Sequence, residues 1–155
     1  MEIEPKIQSL GAFTVMGLVI RTKGRGPEIP KLWNQFMQRY KEIAAIVHPE
    51  FTYGVIRNFD KNTGEYDYMA GVEVPPDTKP PHGMIKWNIP AQTYAVFPTT
   101  LQKVHAIFRY IYDEWLPNSK EFVRGSGPEF ELYDDSFSPE DRNSVFYIYI
   151  PVVKK

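Results

Sequence analysis

The hydrophobic and polar positions along the chain follow one order of elements twice. Each half begins with an apolar, β-branched segment, continues with an amphipathic helix and ends with two aromatic strands. We place the half-repeats at about 1–76 and 83–155, joined by VPPDTKPPHG, a proline-rich segment that predicts a stiff extended connector. Two units that each carry one apolar helix face predict a single domain, 1–155, with both helices on a shared antiparallel sheet. The predicted fold class is α+β, with a cleft between the halves.

In the first half, alternating and β-branched segments predict strands over 6–21, 51–59 and 65–74. The glycines inside the first of these segments indicate a bend or a division into two shorter strands. Apolar residues spaced three and four apart predict a helix from Leu32 to Val47, with one broad apolar face. The His-Pro pair that follows is expected to end this helix.

The second half repeats this order. A strand is predicted over 84–97, with a break at Pro90, and a helix is predicted from Leu101 to Trp115. Two further strands are predicted over 122–133 and 144–152, separated by a polar turn.

Composition narrows the classes of function. Aromatic residues make up 15% of the chain, and ten of them are tyrosines, which suit a wet apolar pocket or an interface. A net charge of −1 without a basic stripe argues against direct nucleic-acid binding. The lack of cysteine and the scattered histidines argue against a metal site, and no cofactor is predicted. Because neither a signal-peptide pattern nor an apolar run of about 20 residues is found, we expect a cytoplasmic protein without membrane contact.

The segment PEFELYDD, residues 128–135, places an acid among aromatic residues. Alternation puts Phe130 and Leu132 on one face of a strand, and Glu129, Glu131 and Tyr133 on the other. One interpretation is a solvated carboxylate on an open sheet face. The other is a carboxylate in an aromatic cleft, where burial would raise its pKa above the usual ~4.3 and a bound cation would relieve the cost. Glu131 is therefore the first candidate for ligand binding.

Aromatic residues are the other candidates for ligand contact. Tyr147 and Tyr149 alternate in FYIYIPV, so their rings would approach Glu131 if this strand pairs with the 130–134 strand, although cross-strand packing is an equal alternative. The remaining candidates are rings on the predicted helices and strands: Trp33, Trp115, Tyr53, Tyr68 and Tyr133. Aromatic residues at helical spacing are more often part of the core, so this alternative stays open for both tryptophans.

Five segments, in order, resemble a known family: KIQSLGAFTVMGLVIRT, AQTYAVFP, IYDEWLPNS, PEFELYDD and FYIYIPV. They are similar to the GyrI-like small-molecule-binding domain, which is also the effector-binding domain of some AraC-type and MerR-type transcription regulators. The resemblance covers nearly the whole chain. It implies paired strand–helix–strand–strand units with a ligand cleft between them, an acidic position that falls on Glu131, and hydrophobic, often cationic ligands. The regulators carry a helix-turn-helix domain for which this chain has no room, so a direct role in transcription is not expected.

Three functions follow as expectations. The favoured one is a standalone binding protein for hydrophobic, aromatic or cationic compounds, acting in transcription regulation or in toxin or drug resistance. The second, implied by standalone members of the family, is a hydrolase that uses Glu131 as its catalytic residue on cyclopropane-bearing electrophiles. The third is a module that binds a protein partner, as a gyrase inhibitor does, or a second copy of itself. The chain has neither a cysteine nor a G-x-S-x-G motif, which favours binding over catalysis.

Overall fold

The structure, a computed structural model, describes residues 2–155 and consists of one antiparallel sheet with helices on one face. Its strands are β1 (Lys6–Leu10), β2 (Phe13–Thr22), β3 (Thr52–Arg57), β4 (Tyr66–Val74), β5 (Ile85–Ile89), β6 (Gln92–Thr100), β7 (Phe122–Arg124), β8 (Glu129–Tyr133) and β9 (Val145–Lys154). Its helices are α1 (Glu28–Gln38), α2 (Val104–Tyr110) and α3 (Leu116–Asn118), with a 3-10 turn at Tyr40–Glu42 and a π-helical turn at Ile111–Trp115. The predicted α+β class is confirmed.

The strand order joins the two halves in the middle of the sheet. The order is β1-β6-β9-β8-β3-β4-β2-β5, and β7 pairs separately with β9. The first strand of each half crosses over, because β1 pairs with β6 and β5 pairs with β2. The central pair is β3 with β8, in which Gly54 lies opposite Glu131. Glu131 therefore lies where the first half of the chain meets the second.

Both helical regions cover the same face of the sheet. Directly paired residues of an antiparallel sheet point to the same side, and the row through Glu131 leads to Ala70 in one direction and to Ile148 in the other. Ala70 packs in the core cluster that contains Leu32 and Phe36 of α1. Ile148 packs in the cluster that contains residues of α2. Glu131 therefore lies between two helix-covered cores.

The opposite face of the sheet is buried as well. Its core consists of Val15, Tyr53, Val55, Met69, Trp87, Ile89, Tyr94, Val96, Phe130, Leu132 and Tyr149. Trp87 belongs to β5 and Tyr94 to β6, two strands that lie far apart in the sheet order. Because their side chains share one cluster, the sheet must curl around it. Neither face of β8 is therefore an open, solvated surface.

The first helix is shifted from its predicted bounds. It begins at Glu28 and ends at Gln38, whereas the apolar spacing predicted a helix that continues to Val47. After the 3-10 turn the chain becomes extended, and the Val47 N–H donates to the Glu73 carbonyl at 2.9 Å. Ile43 still packs in the core from this extended segment. Apolar residues therefore keep a three- and four-residue spacing beyond the end of the helix. For this reason the helix was predicted to end too late in the chain.

The second half also departs from the prediction. The strand predicted over 122–133 is divided into β7 and β8, because Gly125 and Gly127 favour a turn and Pro128 lacks the N–H that a strand ladder needs. The second helix begins at Val104 and contains the π-helical turn, which the apolar spacing did not indicate. The break predicted at Pro90 is confirmed, since it separates β5 from β6.

A membrane-spanning helix would have to be longer and more apolar than any helix found in residues 2–155.

Candidate functional site

Four of the predicted candidates form one hydrogen-bonded cluster around Glu131. The Tyr68 hydroxyl donates to Glu131 Oε1 at 2.6 Å, and the Tyr133 hydroxyl donates to the same oxygen at 2.9 Å. The Trp33 indole N–H donates to the Tyr68 hydroxyl oxygen at 2.9 Å. We call these four residues the Glu131 cluster. Glu131 itself is only 9% exposed, so the interpretation of a solvated carboxylate is wrong.

Each member of the Glu131 cluster comes from an element that its sequence pattern explains. Alternation along β8 points Glu131 and Tyr133 to the helix-covered face, and alternation along β4 points Tyr68 to the same face. Trp33 lies on α1, and its ring meets the ring of Tyr133 edge-on at a centroid distance of 5.5 Å. The first half of the chain therefore supplies Trp33 and Tyr68, and the second half supplies the acid.

Gly54 makes room for the central hydrogen bond. It lies directly opposite Glu131 on β3, and a Cβ atom there would overlap the Tyr68 hydroxyl and stand 2.5 Å from Glu131 Oε1. The sequence analysis did not single out this residue. A glycine inside a strand often marks a close approach of another group, so the signal was present, but the approaching group could not be identified without the pairing.

Glu131 has no cationic partner among residues 2–155. Burial raises the pKa of Glu131 to about 7, against the hydrogen bonds from Tyr68 and Tyr133, while the neighbouring Glu129 raises it further. None of the ion pairs within residues 2–155 includes Glu131. Oε2 accepts no hydrogen bond from these residues and is not among their fully enclosed polar atoms, so it keeps some solvent contact. Oε2 is the atom available to a ligand.

Alternation placed a second acid on the face of Glu131, but the sequence analysis did not count it among the site residues. Glu129 lies two residues earlier on the same strand face, and its side chain is 12% exposed. It accepts a hydrogen bond from the Tyr112 hydroxyl and pairs with Arg124 Nη2 at 3.3 Å. Burial raises the pKa of Glu129, whereas the Tyr112 hydrogen bond and the Arg124 charge lower it. Of the two acids, only Glu131 therefore lacks a positive neighbour.

The surroundings of the Glu131 cluster are negatively charged. Burial raises the pKa of Tyr66, on the same face of β4, to about 12, and the charges of Glu131, Glu129 and Glu28 raise it as well. Three carboxylates thus act on a single tyrosine. The field in this region favours a cation over an anion.

The tyrosines of the last strand do not approach Glu131. β8 and β9 pair as predicted, but Glu131 lies opposite Ile148. Tyr149 lies opposite Phe130, on the other face, where the two rings stack at 4.6 Å. Tyr147 lies opposite Leu132 on that same face. The expected approach of Tyr147 and Tyr149 to Glu131 is therefore wrong, because the pairing differs by one residue from the one it required.

Two other aromatic candidates pack in core clusters. Tyr53 lies opposite Leu132 in the core on the far face, so the sheet separates it from Glu131. Trp115 lies in the π-helical turn, and its ring meets Phe97 edge-on at 5.3 Å in the core below the second helical region. The structure places both rings among apolar neighbours and outside the Glu131 cluster.

Two cavities open elsewhere on the protein. One, of about 180 Å³, includes Ile3 and Lys103 among its lining residues. The other, of about 320 Å³, lies between the end of β3 and the turn before β8. Glu131 lines neither of these two cavities. Within residues 2–155, His, Asp and Glu side chains form no group of three or more that could hold a metal ion.

A curled antiparallel sheet with two helical regions on one face is the fold of effector-binding domains. The chain belongs to the Cass2 family, described as integron-associated effector binding protein, whose sequence profile matches residues 6–152. This assignment confirms the predicted resemblance to GyrI-like domains.

A curated relative is longer than this chain. The transcriptional regulator BrlR of Pseudomonas aeruginosa is 36% identical over 144 residues, which cover 91% of this chain and 52% of BrlR. The chain therefore spans about half the length of that relative.

Solved structures share the fold at low sequence identity. An integron cassette protein from the mobile metagenome of Vibrio cholerae has a TM-score of 0.60 and 20% identity, covering 96% of this chain and 95% of that protein. The protein SAV2435, solved with tetraphenylphosphonium bound, has a TM-score of 0.63 and 20% identity, covering 97% of this chain and 94% of that protein. At these identities the similarity concerns the fold.

Proposed function

We propose that the protein binds hydrophobic organic cations of single positive charge at Glu131. The observation that carries this proposal is the buried Glu131 carboxylate, which has two tyrosine hydroxyls on one oxygen and no cation beside the other. The family description names effector binding, and the cation bound to SAV2435 belongs to the proposed class of ligand.

The first argument concerns the cost of the buried charge. An ionised carboxylate loses favourable interactions with water when it is buried, and an opposite charge offsets that loss. Arg124 performs this role for Glu129, but residues 2–155 provide no such partner for Glu131. A bound cation would complete the second pair, and its charge would lower the pKa of Glu131 below the value of about 7.

The second argument concerns the rings. Tyr68 and Tyr133 meet the carboxylate through their hydroxyls, and the Trp33 ring adjoins both tyrosines. Aromatic surface is both apolar and attractive to cations. A cation over a ring gains about 0.5–2 kcal/mol, and burial of a large apolar ligand adds about 25 cal/mol per Å². A delocalised aromatic cation can use its charge, its contact with the rings and the burial of its apolar surface, whereas a small hydrated cation uses only its charge.

The third argument concerns access. Because Glu131 is 9% exposed and Tyr68 is 1% exposed, a large ligand must displace at least one side chain of the Glu131 cluster to reach the carboxylate. Trp33 is only partly buried and its α1 helix is eleven residues long, so we propose that this helix face moves to admit the ligand. The two tyrosine hydroxyls keep their hydrogen bonds to Oε1, and the incoming positive charge approaches Oε2.

The experiment compares two ions of the same shape and opposite charge by calorimetric titration. Tetraphenylphosphonium is expected to bind the wild-type protein, and tetraphenylborate is expected not to bind. Glu131→Gln should lose most of the phosphonium affinity, whereas Glu140→Gln, the same change at an exposed position, should not. Equal affinity of both ions, or equal affinity of both variants, would remove Glu131 from the proposal.

A second function is supported by one specific observation. A carboxyl group with a pKa of about 7 can donate or accept a proton at neutral pH, as a general acid or base must. This is the chemistry that hydrolysis of a strained cyclopropane would need. Incubation with a cyclopropane-bearing electrophile should then yield more than one product molecule per protein, and Glu131→Gln should abolish turnover; stoichiometric binding without product would leave only the first function.

A further inference from the structure

The cavity of about 320 Å³ contains an arginine, Arg57, that has neither a hydrogen-bond acceptor nor an ion-pair partner among residues 2–155. The cavity lies where the end of β3 meets the turn before β8. Its lining residues include Arg57, Phe59 and Arg124. The guanidinium of Arg57 lies over the Trp87 ring at 3.9 Å. Its Nε atom is fully enclosed and has no hydrogen-bond partner, and Arg57 takes part in none of the ion pairs within residues 2–155.

The nearest acid does not satisfy Arg57. Asp67 is paired with Arg57 across β3 and β4, but its carboxylate already accepts from Arg21 Nη1 at 3.1 Å and from Asn58 Nδ2 at 2.7 Å. The Asp67 charge still acts on Arg57 at a distance, since Arg57 is among the groups that lower the pKa of Asp67. The donors of Arg57 nevertheless remain unused.

The second arginine of the cavity has a different role. Arg124 donates to the Gly127 carbonyl at 2.9 Å and to the Tyr112 hydroxyl at 3.0 Å, and it pairs with Glu129. These hydrogen bonds therefore hold the Arg124 side chain in one position at the edge of the cavity. The charged residues that line the cavity are Arg57 and Arg124, and of these Arg124 is paired with an acid.

We propose that this cavity binds a small aromatic carboxylate. The planar fork of Arg57 matches a carboxylate with two parallel hydrogen bonds. Phe59, at 64% exposure, offers its ring to the aromatic body of the ligand. A volume of about 320 Å³ accommodates one small molecule. The site is separate from the Glu131 cluster and takes ligands of the opposite charge, so it does not depend on the proposed function.

The test is an NMR titration of the isotope-labelled protein with benzoate, benzylammonium and inorganic phosphate. Benzoate should shift the Arg57 Nε–H and Gly127 amide signals saturably, with a dissociation constant below about 1 mM. Benzylammonium and phosphate should bind at least about tenfold more weakly, because one lacks the anion and the other lacks the ring. Phosphate binding as tight as that of benzoate, or an unmoved Arg57 signal, would overturn the proposal.

Variants distinguish benzoate binding at Arg57 from a general effect of the protein's positive charge. Arg57→Gln should weaken benzoate binding at least about tenfold, and Arg57→Lys should weaken it less, because lysine keeps the charge without the planar fork. Arg109→Gln removes the same charge from an exposed position and should leave binding unchanged. Equal affinity in Arg57→Gln and Arg109→Gln would contradict the assignment. Because the wild-type Arg57 signal reports binding directly, the proposal can fail even where a variant does not fold.

Discussion

Glu129 and Glu131 show how two similar residues acquire different chemistry from their neighbours. Both lie on one face of β8, and burial raises the pKa of each. Arg124 lies beside Glu129, whereas Glu131 receives only neutral hydroxyl groups. The unpaired acid retains a larger free-energy cost of burial, and this is the cost that a cationic ligand would remove.

Glu131→Gln should change the pH dependence of stability. The folded pKa of about 7 exceeds the ordinary value of 4.5, so the wild-type protein loses stability as pH rises between these values and bears the full cost above pH 7. The variant has no such group. Its free energy of unfolding relative to wild type should therefore rise by roughly 3 kcal/mol from pH 4.5 to pH 8, as measured by urea unfolding. Parallel pH profiles of the two proteins would contradict a buried, titrating Glu131.

Gly54→Ala should disturb the Glu131 cluster without changing any charge. The new methyl group would overlap the Tyr68 hydroxyl and separate it from Glu131, which leaves a buried polar group short of a partner. We expect a loss of about 1–3 kcal/mol in the free energy of unfolding, together with weaker tetraphenylphosphonium binding.

Gly11→Ala is the matched control for this substitution. A Cβ at Gly11 would meet no atom within 4 Å, and its stability should stay within about 0.5 kcal/mol of wild type. Equal losses in the two variants would mean that loss of a glycine, and not the close approach at Gly54, is responsible.

At the level of elements, the pairing of β8 with β9 decides which aromatic residues can take part in the site. Alternation along each strand follows from the sequence, because successive side chains point to opposite faces. The pairing between strands does not, and a shift by one residue exchanges the faces. Ile148, and not Tyr147 or Tyr149, therefore lies beside Glu131.

A pair of Tyr→Phe substitutions tests this assignment of faces. Tyr68→Phe removes a hydrogen bond that lowers the pKa of Glu131, so the pKa should rise further and phosphonium binding at pH 7 should weaken. Binding should recover at a pH above this raised pKa, where the carboxyl group ionises again. Tyr149→Phe removes a hydroxyl on the far face and should leave binding unchanged at both pH values. If calorimetric titration showed that Tyr149→Phe weakens binding and Tyr68→Phe does not, the ligand would lie on the other face of the sheet.

At the level of the whole molecule, the strand order is the same when read from either edge of the sheet. β1 corresponds to β5, β6 to β2, β9 to β4 and β8 to β3. We propose on this ground that the chain consists of two half-repeats, 1–76 and 83–155. The central pair then places Gly54 and Glu131 at equivalent positions, so one half supplies the space that the acid of the other half occupies.

Ligand binding should stabilise the whole fold, and the stabilisation should depend on pH. At a tetraphenylphosphonium concentration a hundred times the dissociation constant, the free energy of unfolding gains about 2.7 kcal/mol, equivalent to roughly 5–10 °C in a domain of this size. At pH 5.5 the Glu131 carboxyl group is mostly protonated, so affinity should fall about thirtyfold from its value at pH 8. Thermal unfolding at both pH values measures this difference, and an equal shift at both would exclude an ionised Glu131 from binding.

The local patterns of the chain determined the kinds of element, their two-part order and the face of β8 on which Glu131 lies. These features depend on alternation and helical spacing, which neighbouring residues set by themselves. The tertiary structure alone decided that Trp33, Tyr68 and Tyr133 surround the acid, that Gly54 gives it room and that Arg124 neutralises only Glu129. Each of these contacts joins residues from different strands or helices, so each depends on strand pairing and packing across the whole sheet, which no local pattern specifies.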